Sequence, residues 1–291
     1  MIRNATQEDI SKIKLLWDEG FSDPLSYVDF IYDKVAKISD TLLIEENGDI
    51  CSMLTIIPTS FRFREKTIKT AYIYGAATKR SHRQHGYMVK LLEYAEHVCR
   101  ENGYALCALV PGERYLYDFY ANRGYSADFD CRMVRLAAGM LEHAERCDVQ
   151  PVYDKPDYAK IFSLREQALF DIPHIMWDEK QLEFVIGDCT AYGESVAQYA
   201  GAFGESYAIF GEDKAKRMFI KECNGTSEKA EMLLLKRIVL ERNPRAVTVQ
   251  LPVRKNLFRY EGETQHYGMA KALYAGSTIN DMDPYMNLML D

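Results

Sequence analysis

Hydrophobic positions along this chain switch between two periods. Residues 2–5 read as a short strand. Ile10, Ile13, Leu16 and Trp17 recur at three- and four-residue spacing and predict a helix that Gly20 ends. Thr6, with Asp9 three residues on, marks its start as a variant capping box. A second helical stretch over 22–38 keeps Tyr27, Phe30, Ile31 and Val35 in phase. The period then falls to two. Residues 41–45 and 50–57 form two strands around Asn47-Gly48, a strong hairpin signal. Pro58 is expected to interrupt, with 61–64 (Phe-Arg-Phe-Arg) a separate alternating strand.

The stretch 71–125 organises the rest. Residues 71–78 are an unbroken run of small, aromatic and β-branched residues, suited to a buried strand. A basic, glycine-containing turn follows over 79–86. Tyr87, Met88, Leu91, Leu92, Ala95, Val98 and Cys99 then share one helix face, and Asn102-Gly103 supplies the stop. Residues 104–110 are a second apolar strand. Strand, turn, helix and strand imply a crossover connection in a parallel or mixed sheet. A helix over 114–122, stopped by Gly124, leads to closing strands in 125–136.

The pattern degrades over 137–156, which places a domain boundary near residue 145. Helices follow at 157–170 and 178–186. Strands follow at 195–200, 206–210 and 217–223, with a hairpin turn at 211–214. Ser227 caps a helix that Asn243-Pro244 stops, and 246–251 is a strand. Strand, strand, helix, strand thus recurs, which suggests an internal repeat. The tail, 283–291, is expected to make a last strand.

Composition narrows the class. The 291 residues allow one large or two medium domains, and the mix of 47% hydrophobic and 27% charged residues is that of an ordinary globular protein. No apolar run suggests a membrane span, and the N-terminus has no signal-peptide core. Seven scattered cysteines without CxxC spacing fit reduced thiols better than disulfides or a zinc site, so the expected compartment is the cytoplasm and no metal is expected. A net charge of −7 argues against nucleic acid as partner and mildly favours a cationic one. Self-association is open to an acidic two-domain chain.

The turn carries the chemistry. Arg83-Gln84-His85-Gly86-Tyr87-Met88 opens the central helix, whose first amides have no partner within it and whose dipole adds positive charge there. Together they favour a pyrophosphate. Gly86 keeps side-chain bulk away, and Lys79, Arg80 and Arg83 could screen further charge. No GxGxxG follows a first strand, which removes a dinucleotide-binding Rossmann reading.

This stretch resembles the GNAT superfamily of acyl-CoA-dependent N-acyltransferases. Its signature, Arg/Gln-x-x-Gly-x-Gly/Ala, is matched by Arg83-x-x-Gly86-x-Met88, with Met88 in the last place as in the enhanced-intracellular-survival type. Phe119-Tyr120-Ala121-Asn122-Arg123-Gly124-Tyr125 is similar to the family's aromatic-Tyr-x-x-x-Gly-Phe/Tyr segment. Two motifs at the expected separation are more specific than either alone. The resemblance implies an α/β (α+β mixed sheet) GNAT fold in two tandem units. Residues 1–145 would be the catalytic unit, and 146–291 a degenerate one completing the acceptor cleft. The chain is too short for the full third domain of that type.

The same resemblance implies a site. Ala76, Ala77 and Thr78 would face the pantetheine of acetyl-CoA. Arg83, Gln84, His85, Gly86, Tyr87 and Met88 would face its pyrophosphate. Gly75 reads as a bulge that splays the strand. Tyr120 is the expected acid for the departing thiolate. His82 and His85 would sit by the phosphates. No carboxylate lies on 71–78, so the general base stays open between Glu113, the Asp291 carboxylate and water. The helices of the first 38 residues would border the groove for a small-molecule or protein amine. The rival reading is a non-catalytic acyl-CoA-binding module that keeps the fold. At the matching turn of the second unit, 223–227 lacks the basic residue and spaced glycine, so no pyrophosphate is expected there.

Overall fold

Alternation in the first quarter of the chain becomes an antiparallel meander. In the computed structural model, which describes residues 1–21, 23–137, 149–153, 155–255, 257, 262–276 and 279–290, strands β1 (Ile2–Asn4), β2 (Thr41–Glu46), β3 (Asp49–Phe63) and β4 (Lys66–Thr78) pair in order. Asn47 and Gly48 turn β2 into β3 at φ 51° and 83°, both in the left-handed region that a two-residue hairpin of this kind requires. Helices α1 (Ile10–Gly20) and α2 (Leu25–Phe30), the latter running into a π turn over Ile31–Val35, pack on one face. Helix α3 (Tyr87–Glu101) covers the other and crosses to β5 (Leu106–Leu109), parallel to β4. Tyr72 and Tyr74 of β4 join the core under α1, whereas Ala71 and Ile73 join Leu91, Leu92 and Ala95 under α3. Burial on both faces explains why 71–78 shows no polar alternation. Helix α4 (Arg114–Ala121) leads to β6 (Ser126–Ala137).

Pro58 does not interrupt β3, which runs unbroken past it. On that side of β3 the ladder to β2 ends at Thr55↔Thr41, and the ladder to β7 (His174–Met176) begins only at Ser60↔Met176. Pro58 falls in the gap, and its carbonyl accepts from Gln181 Nε2 at 2.8 Å. A missing N–H costs nothing where no strand faces it.

The second half repeats the first. Helices α5 (Tyr158–Ala168) and α6 (Glu179–Ala191) precede β8 (Ser195–Gly201), β9 (Gly204–Glu212) and β10 (Arg217–Gly225), which pair antiparallel. Helix α7 (Glu228–Arg242) then crosses to β11 (Ala246–Pro252), parallel to β10. Thus β9-β10-α7-β11 follows the order of β3-β4-α3-β5. The hairpin after β9 turns at Asp213–Lys216, two residues later than the sequence suggests.

One sheet runs through both halves, in the order β1-β2-β3-β4-β5-β12-β6-β11-β10-β9-β8. The expected closing strands are a single strand, β6, and it pairs with β11 of the second half. The strand β12 (Glu263–Ala272) inserts between β5 and β6. The boundary expected near residue 145 lies outside the described residues. The tail is not a strand. Among the described residues its one bridge is His174↔Tyr285, yet Tyr285 to Leu290 are buried throughout. Among the described residues no helix is long and apolar enough to cross a membrane.

Candidate active site

Strands β4 and β5 are paired for three residues only, from Thr70↔Leu106 to Tyr72↔Ala108. Past Tyr72 they part. The register of β4 against β3 shifts there: Tyr74 faces Thr55 and Ala77 faces Met53, so β4 carries one extra residue. Gly75 sits in this bulge at φ 58°, and a Cβ on it would lie 2.7 Å from Cζ3 of Trp17. Only glycine allows α1 to press its indole there. The β5-facing edge of β4 from Ile73 to Thr78 is left without a ladder and lines a cleft of about 770 Å³.

At one end of the cleft stands the tip of α3. Its N-cap is Gly86 at φ 76°, with no side-chain cap, and no heavy atom lies within 4 Å of where a Cβ on Gly86 would stand. The first-turn amides therefore meet open space. Arg83, Gln84, Gly86, Tyr87 and Met88 line this end, as do Ala76, Ala77 and Thr78 along β4. His82 lines it too, and His85 does not; its ring stands 6.0 Å from that of Tyr87. Of the three cations expected to screen phosphate, only Arg83 lines the cleft. Lys79 pairs with Asp49 at 3.0 Å, and Arg80 is tied to Glu19.

The matching tip of α7 is closed. Ser227 Oγ accepts from the Ala230 amide at 3.1 Å, and a Cβ on Gly225 would meet the Glu205 carbonyl oxygen at 2.6 Å. Lys255 Nζ donates to the Cys223 carbonyl, Asn224 Oδ1 and Glu231 Oε1 at 2.8, 3.0 and 2.8 Å. This is the turn that lacks the signature.

Tyr120 lines the cleft from α4. It is 7% exposed, and its hydroxyl has no hydrogen-bond partner among the described residues. Burial pushes its pKa up to about 12. Tyr115, on the same helix, is 69% exposed, and Tyr117 donates to the Tyr267 carbonyl at 3.1 Å. Glu113 is the N-cap residue of α4 and lines the rim, exposed. Asp291 lies outside the described residues; Leu290 before it lines the cleft floor, where its carbonyl accepts from the Tyr72 hydroxyl at 2.8 Å.

Aromatic side chains line the cleft as well. Trp17, Phe21, Tyr72 and Tyr74 are among them, and the Tyr74 and Tyr27 hydroxyls are 2.9 Å apart. Burial raises the pKa of both phenols, so both stay neutral. Asp23 is the carboxylate that sequence reasoning missed. The Trp17 indole N–H donates to one of its oxygens and the Tyr192 hydroxyl, from the second half, to the other, each at 3.1 Å. Its loop position before Pro24 was its only signal. Elsewhere Glu46, Cys51 and His82 bring potential ligand atoms within 4.8 Å, but Glu46 accepts from the Tyr87 hydroxyl at 2.6 Å and burial raises the Cys51 thiol.

A family model described as an acetyltransferase (GNAT) domain matches residues 1–127. No curated protein matches the chain. Among the solved structures that share its fold are three of this size class or larger. A conserved protein of unknown function from Enterococcus faecalis, described as a probable N-acyltransferase, aligns with TM-score 0.80 at 13% identity, over 95% of this chain and 73% of that one. A GCN5-related N-acetyltransferase from Anabaena variabilis aligns at 0.77 and 14%, over 95% and 74%. Eis1 from Mycobacterium abscessus aligns at 0.73 and 10%, over 94% and 74%.

Proposed function

We propose that this chain is an N-acetyltransferase that moves an acetyl group from acetyl-CoA to a primary amine of a small cationic molecule or a protein, a reading supported by the acetyltransferase (GNAT) domain model that matches residues 1–127. The observation that carries this reading is the open tip of α3 standing beside the parted strands β4 and β5.

Each part of the cleft has a task. The amides at the tip and Arg83 bind the donor's pyrophosphate, since unpaired N–H groups and the helix dipole both favour an anion. The unladdered edge of β4, Ala76 to Thr78, hydrogen-bonds the pantetheine amides as a missing strand would. That arrangement delivers the thioester to the gap beside Tyr120. Attack by the amine expels a thiolate, and Tyr120 donates a hydrogen bond to the departing sulfur. With its pKa near 12, the phenol keeps its proton at every physiological pH. The proton lost by the amine passes to a cleft carboxylate, Glu113 or Asp23, directly or through water; Glu113→Gln and Asp23→Asn tell them apart by which one lowers turnover. Aromatic walls and Asp23 suit a cationic acceptor, because ring faces and carboxylates both attract ammonium groups. Residues 146–291 complete the acceptor cleft through Tyr192 and the tail. The cytoplasm, where acetyl-CoA is available, is the expected compartment.

The test is thiol release from acetyl-CoA in the presence of polyamines, aminoglycosides and amino acids. Release with at least one class supports the reading. Tight binding of acetyl-CoA without release across the whole panel would overturn it in favour of a binding module.

A further inference from the structure

A charged network lies in the core of the second half, outside the catalytic cleft. Arg165 and Glu222 are 0% and 1% exposed at the side chain and meet at 3.0 Å. The same Glu222 oxygen accepts from the Tyr207 hydroxyl at 2.5 Å, and the other from the Tyr285 hydroxyl at 3.4 Å. Tyr285 in turn accepts from Asn287 Nδ2 at 2.7 Å, and Asn287 Oδ1 accepts from Gln250 Nε2 at 3.2 Å. Arg165 also reaches out of the pair, donating to the Ile175 carbonyl at 3.2 Å. Burying an ion pair is costly, and an apolar replacement is often no less stable. Stability alone therefore does not explain its presence.

The network touches the tail. Residues 285–290 are buried without regular structure, so their backbone groups need partners from elsewhere. The Tyr285 amide donates to the Pro173 carbonyl at 2.7 Å, and the Ile175 amide donates to the Tyr285 carbonyl at 3.0 Å. Trp177 Nε1 donates to the Leu288 carbonyl at 2.8 Å, and Leu288 is held at φ 52°, a conformation disfavoured for its side chain. The Tyr72 hydroxyl donates to the Leu290 carbonyl at the cleft floor. Tyr72 packs edge-on against Trp177, ring centres 5.6 Å apart, and stacks with Tyr74. Arg165 thus braces the segment 173–177, which carries the tail, which carries the floor.

We propose that Arg165, Glu222 and Tyr285 are positioning residues for the acyl-transfer site: by pinning the tail they fix Leu290 against Tyr72, and so set the floor on which the acceptor lies. The proposal rests on the functional reading above for its effect on turnover, but not for its effect on the tail. The hydrogen bonds that hold the tail go to Tyr72, Pro173, Ile175 and Trp177 rather than to residues 83–88, so donor binding should be unchanged.

Two full-length variants test this. Tyr285→Phe removes one hydroxyl, and the double variant Arg165→Met with Glu222→Leu removes both charges together, so that neither strands a buried ion. Backbone hydrogen exchange over residues 284–290 should quicken at least tenfold in each. Affinity for CoA by calorimetry should stay within a factor of two, while kcat for acetyl transfer falls roughly 10- to 100-fold, as for a misplaced reacting group. Unchanged exchange over 284–290 in both variants would overturn the proposal. So would faster exchange with parental turnover, or CoA affinity lost in step with kcat. Were the parent itself to release no thiol, the functional reading would fall, while the exchange result would still decide whether the network holds the tail.

Discussion

Gly86 and Gly75 do different work. At Gly86 the space around a would-be Cβ is empty, so a side chain there would meet the proposed donor rather than the protein. Gly86→Glu should stay folded, with a backbone cost of about 1–2 kcal/mol for the left-handed conformation. It should lose at least roughly 100-fold in CoA affinity by calorimetry, since a carboxylate would face the pyrophosphate, an effect of about 3 kcal/mol or more. At Gly75 the space is filled by Trp17. Gly75→Ala combines overpacking with an unfavourable φ and should cost about 2–4 kcal/mol, read as a lowered melting temperature. A variant that melts with the parent would show that the bulge does not need its glycine. Tyr120→Phe should lower kcat roughly 100-fold with CoA affinity unchanged, within the range for a lost hydrogen bond to the charge that develops on the departing group. Because burial holds the Tyr120 proton to about pH 12, the parent's pH–rate profile should show no falling limb from this group between pH 6 and 10. A descending limb there that Tyr120→Phe abolishes would contradict the assignment.

Among the elements, the clearest contrast is between the two crossover helices. Both follow a strand and lead to a parallel one, yet α3 begins at a bare glycine and α7 at a capping serine. Ser227→Ala should cost about 1 kcal/mol of stability by denaturant unfolding, the usual worth of such a cap, and change CoA affinity not at all. This difference was legible in the sequence, because Gly86 and Ser227 declare themselves by residue type. So were α1, α3, α7 and the β2–β3 hairpin, where periodicity and stop signals agree. The bulge at Gly75 was legible too, since a lone glycine in an apolar strand has few other uses. Three features were not. Pro58 reads as a break, and only the gap between β2 and β7 makes it harmless. Strand β12 starts with Glu263-Thr264-Gln265-His266, all exposed, so no alternation marks it. The tail looked like a strand because it is apolar, but it is buried by side chains of both halves rather than by a ladder. At the site, Arg83 and Tyr120 were legible from motif and local chemistry. Asp23's place there was not, because one of the groups that hold it is the distant Tyr192 hydroxyl.

At the scale of the whole molecule, the two repeats share one sheet. Strand β12, from beyond residue 262, fills the place between β5 and β6, and β6 itself pairs with β11. Residues 1–145 alone would leave facing edges of β5 and β6 without a partner, and unpaired edges invite aggregation. That fragment should be insoluble or unfolded on its own, while the full chain should unfold in a single transition by both circular dichroism and tryptophan fluorescence. A soluble fragment with native far-UV dichroism would show that the halves are independent. The candidate cleft inherits this fusion: the α3 tip and β4 come from the first half, and Leu290 from a tail anchored in the second. The proposed activity stands on the donor end. Nuclear magnetic resonance of the 15N-labelled protein titrated with CoA tests it most directly: the amides of residues 84–89 should move downfield and saturate together. Saturable CoA binding that leaves those amides unmoved would contradict it.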